Sequence, residues 1–258
     1  RHISLVFPGQ GSQSVGMLDD FSLEEISSIK PALTELPFDL IDIIQNNPED
    51  LLNKTSITQP ALLATSYLHY KKFLTLTDTR PDIMAGHSLG EYSALVAADS
   101  IKLNNAISLV HKRGLLMESS EKGSMFAILN LDLSLVKDIC NEVSVSTGLI
   151  VSPANINSPN QIVIAGNEEA VLIVADRCKE AGAKRCIQLK VGAASHCMLM
   201  KAASESLLSE LSAIHFNELS IPIIHNYDVS IELSCKNVVD KLTSQLTCPV
   251  KSVSYTHL

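Results

Sequence analysis

Tryptophan is absent from this 258-residue chain, and only six Phe and five Tyr are present. Any aromatic binding surface must therefore be built from few rings. Positive charge is also short: 20 Lys and Arg stand against 28 Asp and Glu, a net charge of -8. That balance lacks the basic footprint of a general nucleic-acid binder. It would also repel an acidic protein partner unless a local basic patch offset it. No apolar run approaches the roughly 20 residues of a membrane-spanning helix. The opening RHISLVFPGQG has a basic start but only a five-residue, mostly apolar run, ISLVF, too short for the ~7–15 of a secretory signal. Of the six cysteines, none forms a CxxC pair or a metal-ligand spacing, so free thiols in a reducing compartment are expected. What remains is a chain with 46% apolar and 19% charged residues, enough for a substantial core. The expectation is a cytoplasmic protein without nucleic-acid or membrane partners. The chain begins with Arg rather than Met, so a trimmed N-terminus is expected.

The pattern of elements is mixed α/β. Ile3 to Phe7 reads as a buried strand stopped by the turn Pro8-Gly9-Gln10-Gly11. Residues 20–56 carry helical periodicity broken near Pro37 and Pro48. Thr58-Gln59-Pro60 opens a long apolar helix with the proline in its first turn, where a missing N–H costs nothing. Pro81 to Ala85 is a short strand, followed by the turn GHSLG and a helix from about Glu91. Leu103 to Glu118 is a helix whose stripe runs Ala106, Val110, Gly114, Met117, with Arg113 at its border. From 122 to 190 the rhythm becomes βαββαβ, that of a ferredoxin-like unit, with Asn167 expected to cap its second helix. A helix with Ser195 as N-cap, a strand IPIIHN and the helix VVDKLTSQL follow.

One motif points to chemistry. Gly86-His87-Ser88-Leu89-Gly90 fits the nucleophile elbow G-x-S-x-G, between an apolar strand and a helix as that elbow requires. Small flanking residues permit the sharp bend, and the helix N-terminus aims N–H groups at a developing oxyanion. The bland alternative is a tight turn with a capping serine. A serine hydroxyl needs a base. His87 projects the wrong way; His196 opens a helix after a strand, where catalysis and a plain cap histidine are equally compatible with the pattern. Arg113 cannot discharge, so beside an apolar face it needs an anion. An internal Asp or Glu, or the carboxylate of a substrate, would serve.

These stretches together resemble the malonyl-CoA:acyl-carrier-protein transacylase family. FPGQGSQ (7–13), LNKTSITQPALL (52–63), GHSLGEYSAL (86–95), KRGLLM (112–117), NINSPNQIVIAG (155–166), SHCMLM (195–200) and SQLTCPV (244–250) recur in the family's order. The resemblance implies an α/β-hydrolase-like large domain, residues 1–121 and 191–258, with an inserted ferredoxin-like subdomain, residues 122–190. It implies that Ser88 takes the acyl group and that His196 is general base, then acid. The backbone carbonyl of Gln245 would orient His196, the N–H groups of Gln10 and Leu89 would form the oxyanion hole, and Arg113 would bind the malonyl carboxylate. Malonyl-CoA is then a substrate, acyl carrier protein the acceptor, and no metal or other cofactor is required; a monomer is expected. Lys184, Arg185, Lys190 and Lys201 are candidates for a basic patch facing the acidic carrier, or are ordinary solvated lysines and arginines. The resemblance also implies a further glycine-proline turn and a last helix, so a truncated C-terminus is expected. Two other activities fit the same elbow: a serine esterase or thioesterase, and an acyltransferase serving a polyketide line. An inactive module that only holds the carrier is a further reading.

Overall fold

A computed structural model describes residues 2–252; the end of the segment expected to be truncated, 253–258, lies outside the described residues. In chain order the elements are β1 (Ser4–Phe7), α1 (Leu23–Ile29), α2 (Leu40–Asn46), α3 (Thr55–Leu76), β2 (Ile83–Gly86), α4 (Gly90–Ala97) and α5 (Leu103–Glu118). Then come β3 (Ser124–Leu129), α6 (Leu133–Thr147), β4 (Val151–Ser158), β5 (Gln161–Gly166), α7 (Glu168–Glu180) and β6 (Arg185–Gln188). Last are α8 (Lys201–Ser212), β7 (Ile223–Ile224), β8 (Ile231–Glu232) and α9 (Val238–Gln245). Among the described residues no helix is long and apolar enough to cross a membrane.

The chain divides into two compact units. Of the described residues, the first comprises 2–116, 209–225 and 230–239. Its sheet has the order β1-β2-β7-β8, the first three strands parallel and β8 antiparallel to β7. Phe7 pairs with Gly86, so β1 and β2 end level and release their glycine turns at one edge of the sheet. Ligands of parallel sheets bind beyond that carboxyl edge. α3 begins at Thr55, three residues before the expected start, and Pro60 therefore lies inside the helix instead of in its first turn. A proline there cannot donate to the carbonyl four residues back. His111 on α5 compensates: its Nδ1 donates to the Ser56 carbonyl at 2.9 Å. α5 can approach this closely because Gly114 faces α3; a Cβ there would stand 2.5 Å from Ser56 Cα.

Of the described residues, the second unit comprises 117–208, 226–229 and 240–252. Its sheet has the order β4-β5-β3-β6, antiparallel throughout, with strands and helices alternating as the sequence rhythm predicts. α6 is delimited by its own sequence: Asp132 accepts from Ser134 N–H, and Gly148 ends the helix at φ 69°. Phe126, Ile128, Ile164, Val136, Val171 and Val174 form an apolar core between sheet and helices. Each fully buried aliphatic there contributes about 1.5–3 kcal/mol. This unit extends beyond the expected 122–190. Ala194, Cys197 and Leu199 pack with Met125, Ala127 and Val163 on the other side of the sheet, and Val250 bridges to Asn155. The sheet needs both faces covered, and the segments after 190 cover the second one.

Two caps differ from expectation. Asn167 stands at the N-cap of α7, but its side chain accepts from Ile150 N–H and donates to Glu121. Ser195 caps no helix: His196 takes a left-handed φ of 60°, so helical structure starts only after Cys197. IPIIHN contributes just Ile223 and Ile224 to the sheet.

Candidate active site

In the first unit the elbow is built as its glycines require. Ser88 has φ 53°, a left-handed conformation rare outside glycine. A Cβ on Gly86 would lie 1.8 Å from the Gly90 carbonyl carbon, and one on Gly90 would lie 2.3 Å from the Phe7 oxygen. Backbone bonds from Gly90 N–H to the His87 carbonyl (3.0 Å) and from Glu91 N–H to the Ser88 carbonyl (3.1 Å) close the turn. α4 begins at Gly90 with Leu89 at its N-cap.

The turn after β1 packs against this elbow. Gly9 approaches so closely that a Cβ would stand 2.4 Å from the His87 oxygen. Gln10 follows, its side chain donating to Thr55 Oγ1 at 3.2 Å. The side chain is thus turned to α3, which leaves the residue's backbone as the part available for an anion.

Arg113 is almost fully buried, at 1% exposure. Its guanidinium donates to Gln59 Oε1 at 2.9 Å and to Ser88 Oγ at 3.3 Å. It lies over the Tyr92 ring, 5.3 Å from the centroid, a cation–π arrangement. Burial draws its proton affinity below the usual arginine value, while Tyr92 and Glu91 favour the charged form. Burial also pushes the Tyr92 phenol up to about 12, so that ring is neutral at physiological pH. The two hydrogen bonds go to neutral groups, an amide and a hydroxyl. The carboxylate of Glu91 adds a favourable charge interaction with the guanidinium.

His196 and Gln245 belong to the second unit. The imidazole is buried; its Nδ1 lies 2.6 Å from the Gln245 carbonyl oxygen, and its backbone N–H donates to Leu246 at 3.0 Å. A carbonyl can only accept, so Nδ1 carries the proton and Nε2 is left as the basic nitrogen. Gln245 is fixed in turn by its own amide, which donates to Asn226 Oδ1 at 3.1 Å.

The structure therefore brings Ser88, Arg113, Leu89 and Gln10 into one neighbourhood of the first unit, and couples His196 to Gln245 in the second. Sequence reasoning missed Gln59, Tyr92 and Asn226. Gln59 sits in the stretch LNKTSITQPALL and Tyr92 in GHSLGEYSAL, but nothing in the sequence says that they meet Arg113. The six cysteines are free.

Comparisons with known proteins agree with this geometry. Residues 4–245 match the acyl transferase domain family. The malonyl CoA-acyl carrier protein transacylase of Escherichia coli (strain K12) is 44% identical over 263 residues, covering 98% of this chain and 84% of the relative. A solved structure of a type II polyketide synthase acyl-carrier protein in complex with its malonyl-transacylase matches at a TM-score of 0.94 and 43% identity, over 100% of this chain and 84% of that one. The acyl carrier protein S-malonyltransferase of Vibrio cholerae matches at a TM-score of 0.93 and 42% identity, over 98% and 84% of the two chains. With the elbow, the buried arginine and the carbonyl-oriented histidine all present, this chain belongs to the acyl transferase domain family and, within it, to the malonyl-CoA–acyl-carrier-protein transacylases.

Proposed function

We propose that this chain transfers a malonyl group from malonyl-CoA to the phosphopantetheine thiol of an acyl carrier protein, through an ester on Ser88, for fatty-acid biosynthesis. The observation that carries the reading is the buried Arg113 guanidinium 3.3 Å from Ser88 Oγ. A fixed positive charge beside a serine nucleophile selects an acyl group with a free carboxylate at its far end, which a guanidinium binds through two parallel N–H···O bonds.

His196 Nε2 takes the Ser88 proton as Oγ attacks the thioester carbonyl. The C–S bond breaks, and the coenzyme A thiolate leaves with that proton. The carrier thiol then attacks the malonyl ester, giving its proton to His196, which returns it to Ser88 Oγ. The N–H groups of Gln10 and Leu89 receive the oxyanion in both halves. A positioned base contributes about 10²–10⁴-fold in rate, and one oxyanion donor about 10²–10³-fold. Both halves exchange an acyl group between thioester and ester, so no metal or redox cofactor enters.

A serine hydrolase on this elbow would use a carboxylate on the histidine. Here Nδ1 meets the Gln245 carbonyl, and Arg113 has no part in hydrolysis of simple esters. The α/β-hydrolase-like and ferredoxin-like subdomains are supported by the parallel order β1-β2-β7 and by the order β4-β5-β3-β6 with two covering helices. Lys184, Arg185, Lys190 and Lys201 are all exposed and suit an acidic carrier. We place the enzyme in the cytoplasm, as a monomer; its free thiols suit a reducing compartment.

Mass spectrometry after incubation with malonyl-CoA tests the reading. A malonyl adduct on the Ser88 peptide is expected, with none after Ser88→Ala and transfer lowered about 10³-fold or more. An unlabelled Ser88 in folded, active protein refutes it.

A further inference from the structure

Behind the elbow lies a buried cluster of titratable side chains that the acyl transfer does not use. Glu91, in the first turn of α4 and three residues after Ser88, has its side chain 1% exposed. Its Oε1 accepts from Nδ1 of His225, 3.0 Å away and 134 positions along the chain. His225 is itself fully buried and follows β7 directly. Its other ring nitrogen, Nε2, lies 3.3 Å from Glu232 Oε2 on β8, and Glu232 also accepts from Asn237. An imidazole is thus set between two carboxylates.

Such a group is expensive to bury, and apolar residues of similar volume would cost the fold less. Its position suggests what it does. β7 runs parallel beside β2, with Ile224 opposite Ala85, so His225 stands next to the point where β2 enters the elbow. The backbone of Ser88 is in a sparsely populated region, which costs about 1–3 kcal/mol and persists only when its surroundings over-determine it. Within the turn Gly90 and Glu91 N–H bond to the His87 and Ser88 carbonyls, and His87 N–H donates to Phe7 of β1 at 3.0 Å. The His225–Glu91 bond comes from another strand and ties α4's first turn to the sheet.

We propose that His225 is a positioning residue for Ser88: with Glu232 Oε2 3.3 Å from its Nε2, it donates Nδ1–H to Glu91 and so fixes the start of α4 and the nucleophile that precedes it. The proposal rests on Ser88 being the nucleophile.

The test measures single-turnover malonylation, KM for malonyl-CoA and thermal stability on the full chain. His225→Leu is expected to lower the acylation rate about 10- to 100-fold, the cost of a small misplacement of a reacting group, with KM within about twofold. His225→Asn keeps a donor at the Nδ1 position and should recover most of the rate. The double variant Glu91→Leu/His225→Leu removes both partners, so it should regain the stability that His225→Leu loses while its rate stays low. Should His225→Leu not fold, the asparagine and double variants decide. An unchanged rate in the double variant, equal losses for the leucine and asparagine variants, or a loss confined to KM would each overturn the proposal. Ser88→Ala in the same assay separates the two ideas: an adduct that persists there defeats the nucleophile reading whatever His225 does.

Discussion

The elbow region and the antiparallel sheet solve opposite problems. Around Ser88 the protein buries Gln59, Glu91, Arg113 and His225, brings backbones together at glycines, and holds a serine in a left-handed conformation. The core under β3, β4, β5 and β6 is packed from Ile, Val, Phe and Ala with two cysteines, and among the described residues the buried Asp, Glu, Lys and Arg side chains lie outside it. Polar burial is costly unless every group is partnered. The contrast therefore indicates that the first region spends stability on chemistry, whereas the second supplies it.

Four substitutions or measurements sharpen that contrast. The largest effect is expected from Gly86→Ala, whose methyl group would lie 1.8 Å from the backbone of Gly90. No soluble folded protein should accumulate, and a normal melting transition would show that the elbow is less tightly built than described. Next is Arg113→Ala. Malonyl transfer should fall about 30-fold or more, the cost of removing one partner of a buried charged hydrogen-bonded pair, while acetyl transfer stays level or rises. Parallel loss for both acyl groups in a competition assay would break the carboxylate assignment. In the apolar core, Ile164→Ala should cost about 2–5 kcal/mol in denaturant melts, with turnover per folded molecule unchanged. A change in KM there would blur the division between the two regions.

The smallest effect concerns the thiols of that same core. Burial, with Cys178 nearby, pushes Cys140 from a usual 9.0 up to about 12. Burial likewise pushes Cys178 up to about 11. A thiol whose folded value is raised contributes stability that is complete below its unfolded value and is lost as pH climbs towards the folded one. Stability should therefore decline from about pH 9 upward, by at most ~1.4 kcal/mol per pH unit for each thiol. Cys140→Ala should flatten that decline in melts recorded between pH 8 and 10. An unaltered slope would mean that the thiol is not what titrates.

Legibility in the sequence followed the range of the interactions. The elbow was readable because its requirement is steric and local: Gly86 and Gly90 flank the bend, and a strand and a helix flank them. α6 was readable for a similar reason, with Asp132 and Gly148 bounding an amphipathic run. Ser195 was misread because a cap needs an extended residue followed by helical ones, and His196 turns left-handed to reach the Gln245 carbonyl. The start of α3 was misread because Pro60 is tolerable inside a helix only when another group serves the Ser56 carbonyl, and that group, His111, is 55 positions away.

By itself the order of residues determined the alternation of strands and helices, the two glycine turns, the elbow serine and the presence of an arginine on an apolar helix. Those features depend on backbone sterics and on the period of neighbouring side chains. Only the tertiary structure decided that Arg113 faces Gln59, Tyr92 and Ser88, and that His225 meets Glu91. A buried charge takes its meaning from the groups that surround it in space, and those come from segments that the chain brings together only on folding.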